Sequence, residues 1–142
     1  TAFAATSPMH VMETEDSVAA ALRFDGGGTG ALDATTAAYP GFPERIDLAG
    51  TKATAVLTPG KLELYHHDGR RESIGEEASG GGGADPMAFT HDAHRGVLVE
   101  FLDALDAGRA PVNCGRAALS VHYLIDALLE SSRRRAPVAV RR

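Results

Sequence analysis

The chain has 142 residues, a net charge of −5 with acidic and basic side chains mixed along it, and one cysteine, Cys114. That length supports one domain with its own core, and the single dense basic run, Arg133 to Arg135, is too little clustered positive charge for a nucleic-acid surface. One cysteine leaves no internal disulfide and no thiolate metal cage, and no apolar run is long enough to span a bilayer, so a soluble, cytoplasmic protein without a membrane partner is expected.

Thr1 to Ala5 reads as a short strand, and a polar connection follows through Pro8, His10 and Glu13 to Asp16. Val18, Ala20, Leu22 and Phe24 then alternate with Ala19, Ala21 and Arg23, and Asp25-Gly26-Gly27-Gly28 turns the chain into a second strand, Gly30 to Thr36. With Phe24 opposite Gly30, Leu22 meets Leu32, and Arg23 meets Ala31 with Asp33 one diagonal step away. The Val18, Leu22, Phe24, Leu32 face wants helices against it. The opposite face, with Ala19, Ala21, Ala31, Asp33 and Thr35, suits either a solvated sheet surface or an interface in which two sheets approach closely.

Tyr39 to Leu57 carries the densest local information. Pro40-Gly41-Phe42-Pro43 cannot be central strand, because proline lacks a donor and Gly41 invites a positive φ. Beyond it, Glu44–Ala49 and Thr54–Leu57 alternate as a half-buried hairpin across Gly50-Thr51-Lys52, with Ile46 and Leu48 on one side and Arg45 and Asp47 on the other. Tyr39, Phe42 and Arg45 thus come to the lip of a sheet. An aromatic pair and a cation there suit stacking on a sugar ring and holding hydroxyls or a carboxylate; equally, the aromatics could plug the end of a core while Arg45 pairs with Asp33 or Asp47.

Thr58-Pro59-Gly60 and Asp68-Gly69 mark further turns, around a strand with Leu62, Leu64 and His66 and before one ending near Ile74. Gly75 to Ala84, with four successive glycines, reads as a linker. Helical periodicity then places His94, Val97, Leu98, Phe101, Leu102 and Leu105 on one stripe, with Thr90 or Asp92 as cap and Gly108 as stop. A second helix, about Arg116 to Ser132, should bury Ala117, Val121, Leu124, Ile125, Leu128 and Leu129, and Pro137 to Val140 could add an edge strand. The expected class is α+β: a largely antiparallel, open-faced sheet with two C-terminal helices packed on one face.

Chemistry-bearing motifs are sparse. Gly26, Gly28 and Gly30 follow a strand but precede another strand, so no helix N-terminus is there to receive a pyrophosphate. Gly80 to Gly83 lacks the ending of a phosphate loop. His91 and His94 lie one helical turn apart without a third ligand, His66 and His67 point to opposite strand faces, and no metal site is expected. Cys114 has no evident activating partner, and no catalytic residue is assigned.

Three stretches together, EDSVAAALRFDGGGTGALDATTAAYPGFPERIDLAGTKATAVL, HRGVLVEFLDALDAGRAPV and GRAALSVHYLIDALLESSRRRAPVAV, resemble the C-terminal domain of the Gfo/Idh/MocA family of NAD(P)-dependent oxidoreductases, which act mostly on sugars, polyols and related compounds. The resemblance covers nearly the whole chain. It implies that residues 1–142 form a single C-terminal domain that faces substrate and mediates oligomerisation, with the N-terminal Rossmann domain absent. Thr1 is not an initiator methionine, which fits a piece of a longer protein. The family's Glu-Lys-Pro motif and its acid/base residues match no position here, so NAD or NADP is expected in the intact protein and no cofactor in this chain. The resemblance also implies that Tyr39, Phe42 and Arg45, with His94, line the substrate side, and that the open sheet face makes a dimer or tetramer. The alternative is a stand-alone module that dimerises or holds a small ligand without chemistry.

Overall fold

The computed structural model describes residues 1–77 and 91–141. Seven strands and two helices follow in the order β1 (Ala2–Ala5), β2 (Ser17–Arg23), β3 (Thr29–Thr35), β4 (Ile46–Ala49), β5 (Ala53–Thr58), β6 (Lys61–His66), β7 (Arg71–Gly75), α1 (Asp92–Asp106) and α2 (Gly115–Arg134). The class is α+β with antiparallel pairing throughout, as expected, but the strands form two sheets, β1-β2-β3 and β4-β5-β6-β7. They belong to two compact units, Thr1–Ala37 with His91–Arg142, and Ala38–Thr90. The glycine run Gly80 to Gly83 and the candidate cap Thr90 lie outside the described residues.

In the first unit β2 and β3 pair with Leu22 opposite Gly30, Ala21 opposite Ala31 and Ala19 opposite Asp33. The sequence argument placed Phe24 there instead, a slip of two positions. The turn decides it. Phe24 N–H donates to the Gly28 carbonyl at 2.9 Å and Gly27 N–H to the Phe24 carbonyl at 2.9 Å, with Gly27 at φ 87°, so three residues close the loop and the third is left-handed. Because side chains alternate with period two, a two-residue slip keeps every residue on its face. Val18, Ala20, Leu22 and Leu32 are accordingly half-buried, while Ala19, Ala21, Arg23, Ala31, Asp33 and Thr35 are exposed.

Strand β1 is an edge, and its outward N–H groups need partners. Helix α2 lies along it: Ala2 N–H donates to Ser131 Oγ at 3.0 Å and Ala4 N–H to Ser132 Oγ at 2.9 Å. Ser131 Oγ in turn donates to the Ala136 carbonyl at 2.7 Å. The buried centre is here, with Ala2, Ala127 and Ser131 all at 9% exposure or less. Two expectations fail at this place. Pro137 to Val140 is no strand, because the α2 hydroxyls already occupy the β1 edge and Pro137 has no N–H to offer. Burial on α2 is confined to its C-terminal half, where β1 lies; Leu124, Leu128 and Leu129 are half-buried, but Ala117, Val121 and Ile125 are exposed.

Helix α1 departs further from expectation. Val97, Leu98, Phe101, Leu102 and Leu105 are all at least half exposed, and the one buried residue is Ala104. The helix instead presents Glu100 to the connection that folds back beside it. Arg109 donates to both Glu100 carboxylate oxygens at 2.8 Å each, and Val112 N–H donates to Glu100 Oε1 at 2.9 Å. These bonds favour the ionised form and hold the Glu100 carboxyl down at about 2, against an ordinary 4.5. A depressed folded-state value stabilises above the unfolded-state value. The contribution is therefore complete above about 4.5 and is lost as pH falls toward about 2. Replacing Glu100 with Gln should lower the unfolding midpoint at neutral pH and flatten its acid dependence across that window; an unchanged profile in thermal melts would remove this bridge from the account.

In the second unit Pro59-Gly60 and His67-Asp68-Gly69 make the expected turns, with Gly60 at φ 80° and Gly69 at φ 90°. Gly75, at φ 80°, ends β7 where a Cβ would collide with the Gly60 carbonyl oxygen. Ile46, Leu48, Leu57 and Ile74 share one face with Leu62 and Leu64. The expected half-burial of the β4 hairpin does not hold for β4, since Ile46 and Leu48 are exposed: a lone sheet has no second layer in its own unit to cover that face.

Candidate functional site

The turn before β4 is built as its sequence dictates. Gly41 N–H donates to the Ala38 carbonyl at 2.7 Å, the Tyr39–Pro40 peptide is cis, and Gly41 sits at φ 89°. Tyr39 and Phe42 stand on it at 85% and 71% exposure, so neither plugs a core. Arg45 leads into β4, and its Nε donates to Asp47 Oδ1 at 2.8 Å on the same strand face. The Asp47 carboxylate raises the Arg45 pKa above its ordinary value. Tyr39, Phe42 and Arg45 therefore share one exposed segment, with the cation tethered and the rings free. His94 belongs to the other unit, on α1, and is exposed, as is the apolar stripe that carries it.

Beyond Arg45 and Asp47, the same face of the second sheet holds Lys61, Glu63, Tyr65 and Arg71. Lys61 Nζ lies 3.2 Å from Glu63 Oε1, Tyr65 Oη donates to Glu63 Oε2 at 3.2 Å, and Arg71 lies 5.3 Å from the Tyr65 ring centre. The Lys61 ammonium lowers the Glu63 pKa, and Glu63 raises that of Lys61. Arg45 and Lys61 are thus paired with Asp47 and Glu63, while Arg71 lies over the Tyr65 ring.

His66 and His67 go to different partners, the Glu72 carboxylate at 2.8 Å and the Gly50 carbonyl at 3.1 Å. No group of three metal-ligating side chains occurs among the described residues. A nicotinamide nucleotide fares no better: Gly26 to Gly28 form a hairpin loop between antiparallel strands, with no helix opening behind them. The described residues do not fit that cofactor.

On the first sheet, the five interface candidates Ala19, Ala21, Ala31, Asp33 and Thr35 do share one exposed face. The same face carries Arg23 and, because β1 pairs with Phe3 opposite Ala19, also Phe3 at 70% exposure. Sequence reasoning left Phe3 out. Its facing depends on the β1–β2 register, which the long intervening connection hides.

Also missed was Asp16, which is 5% exposed. Its Oδ1 accepts from Ser7 N–H at 2.8 Å, and its Oδ2 from Ser7 Oγ at 2.6 Å and faces His10 Nδ1 at 2.8 Å. The Ser7 hydrogen bonds, with help from His10, hold its carboxyl below the usual range. Both Ser7 and His10 address the acid, so no serine–histidine relay exists, and the group's work is to pin the β1–β2 connection.

The fold is that of an α+β domain, two antiparallel sheets with two helices. The model of the oxidoreductase family's C-terminal alpha/beta domain matches residues 2–140, and the chain belongs to that family, Gfo/Idh/MocA. Two solved structures share the fold. An oxidoreductase from Agrobacterium radiobacter, in complex with NAD+, L-tartaric acid and magnesium, is 24% identical over 98% of this chain and 42% of its own, with a TM-score of 0.69. An oxidoreductase domain protein from Kribbella flavida is 16% identical over 100% of this chain and 44% of its own, with a TM-score of 0.78. The chain thus spans less than half the length of either. No curated protein matches it.

Proposed function

We propose that this chain is the substrate-facing and oligomerising domain of a cytoplasmic NAD(P)-dependent oxidoreductase acting on a sugar, polyol or related compound. The family match over residues 2–140 carries the reading. The Tyr39–Arg45 turn supplies the substrate side: two free aromatic rings for stacking against a carbohydrate and a tethered guanidinium for its hydroxyls or a carboxylate. His94, on α1 in the first unit, is proposed separately, on its own account, as a substrate contact. The face with Ala19, Ala21, Ala31, Asp33 and Thr35 holds copies together. Consistent with a non-membrane setting, no helix among the described residues is long and apolar enough to cross a bilayer.

The reaction itself is not carried by these residues, since neither a nucleotide cradle nor an acid–base pair is built from them. Titrating NADH and NADPH into the chain should give no saturable binding, read by the reduced nicotinamide's fluorescence. The coding sequence upstream of Thr1 should continue into a strand, a Gly-rich turn and a Glu-Lys-Pro motif. Saturable binding would defeat the division of labour. A start codon immediately before Thr1 would defeat the oxidoreductase reading and favour the stand-alone module.

A further inference from the structure

Helix α2 ends in a reversal. Arg135 takes the left-handed conformation at φ 53°, its N–H donates to the Ser132 carbonyl at 3.3 Å, and Ala136 N–H donates to the Ser131 carbonyl at 3.3 Å. The Ser131 hydroxyl also holds the Ala136 carbonyl, at 2.7 Å. The chain is thereby turned back, and a cleft of about 500 Å³ lies between the C-terminal half of α2 and the returning residues Val138 and Arg141. That volume falls in the range of small-molecule sites, roughly 300–1,000 Å³. Ala127, 9% exposed, is its floor. Tyr123, half-buried, lines it one helical turn away, and its hydroxyl has no partner among the described residues. The charges in the cleft are unequal. Glu130 takes two guanidiniums, with Arg133 Nη2 at 2.8 Å and Arg134 Nη1 at 3.9 Å, while Arg141 and Asp126 form no ion pair among the described residues. Three arginines against two carboxylates leave one positive charge over, on a chain whose net charge is −5.

We propose that this cleft binds an organic monoanion, a carboxylate carried on an apolar or aromatic body. Glu130 holds two cations side by side that would otherwise repel, and it engages one nitrogen of each. A guanidinium carries its N–H donors on three nitrogens in a planar fork, so both arginines keep donors for a second oxyanion. Arg141 adds an uncommitted fork from the returning segment. Ala127, Val138 and the Tyr123 ring supply the surface for the ligand's body, and the Tyr123 hydroxyl offers it a hydrogen bond. Asp126 sets the charge of the ligand. One negative charge neutralises the cleft, whereas a second, as on a dicarboxylate or a phosphate dianion, would meet the Asp126 carboxylate. The site lies wholly within the first unit and does not rest on the substrate side proposed at the Tyr39–Arg45 turn. Because the Arg133 and Arg134 side chains are 72% and 61% exposed, water screens them, and Kd should be on the order of 1 mM.

Amide NMR shifts of the isotope-labelled chain, at about pH 7 where a phosphate monoester carries most of two charges, test this with phenylacetate, phenylacetamide and phenyl phosphate. Phenylacetate should give saturable shifts centred on Tyr123, Ala127, Val138 and Arg141. Phenylacetamide should bind at least about tenfold more weakly, and phenyl phosphate no more tightly than phenylacetate. Arg134→Ser and Arg141→Ser should each weaken phenylacetate about fivefold, the upper range for an exposed charge pair, and Asp126→Asn should tighten phenyl phosphate by about the same factor. These three positions are exposed, and circular dichroism checks that each variant folds. Shifts that never saturate, an amide that binds as tightly as the acid, or arginine variants without effect overturn the site. Phenyl phosphate binding more tightly than phenylacetate to the wild type, or indifferent to Asp126→Asn, overturns the choice of a monoanion. The oxidoreductase reading, which concerns other residues, stands or falls separately.

Discussion

Replacing Asp16 with alanine is expected to lower the thermal unfolding midpoint by on the order of 10 °C, an effect of several broken interactions in a domain this size. The side chain has no exposed surface, and its two oxygens meet Ser7 N–H, Ser7 Oγ and His10 Nδ1 within 2.8 Å. Its backbone is committed as well: Asp16 N–H donates to the Ala5 carbonyl at 3.1 Å and its carbonyl accepts from Thr36 N–H at 2.9 Å. Alanine strands the Ser7 groups and frees the connection that presents Met9, Val11 and Met12 to solvent. Asparagine, which keeps the shape but has one accepting oxygen, should fall between. The acid limb has a definite sign. Because the folded-state pKa is lowered, the stabilisation is present above the ordinary carboxylate range and is lost as pH falls below it. Melts of the wild type and both variants across that range check the ordering; equal midpoints at neutral pH would refute it.

Ser131→Ala should cost roughly 1–3 kcal/mol, the penalty of leaving a buried backbone donor unmade. Ser131 is 3% exposed, and its hydroxyl accepts from Ala2 and donates to Ala136. Removing it strands the Ala2 N–H and the Ala136 carbonyl in the most buried part of the unit. Ser132→Ala should be milder, since Ser132 is only half-buried, although Ala4 loses its partner in the same way. Urea unfolding gives the two values, and amide exchange at Ala2 and Ala4 shows whether the β1 edge has opened. A Ser131→Ala change smaller than that of Ser132→Ala would contradict the proposed seal.

Much of the architecture is written locally. Strands β2 to β7 follow from alternation and from turns whose third or second residue is glycine, and both helices were found within a few residues of their ends because periodicity and Gly108 announce them. The same signals place Tyr39, Phe42 and Arg45 on a turn at the lip of a sheet and set five small or polar residues on one face, but leave open whether the two rings plug a core, which the structure answers by exposing both. They misplace the first hairpin's register by two positions, since Asp25-Gly26-Gly27-Gly28 allows more than one loop length. They also overstate burial on α1 and the N-terminal half of α2. An apolar stripe states what a helix could cover and not whether a neighbour arrives.

The sequence by itself determined the types of the seven strands and two helices and the faces of strands β2 to β7, because hydrophobic period and turn chemistry act between residues a few positions apart. Tertiary structure alone decided three things. It sealed the β1 edge with hydroxyls from residues 128 and 129 positions later. It buried Asp16 as an anchor in what reads as a polar connection, and it brought Phe3 beside Ala19 and Asp33. The physical reason is common to all three. Desolvation and hydrogen-bond satisfaction depend on which groups meet in space, and no local pattern records a partner that the chain brings in from far away.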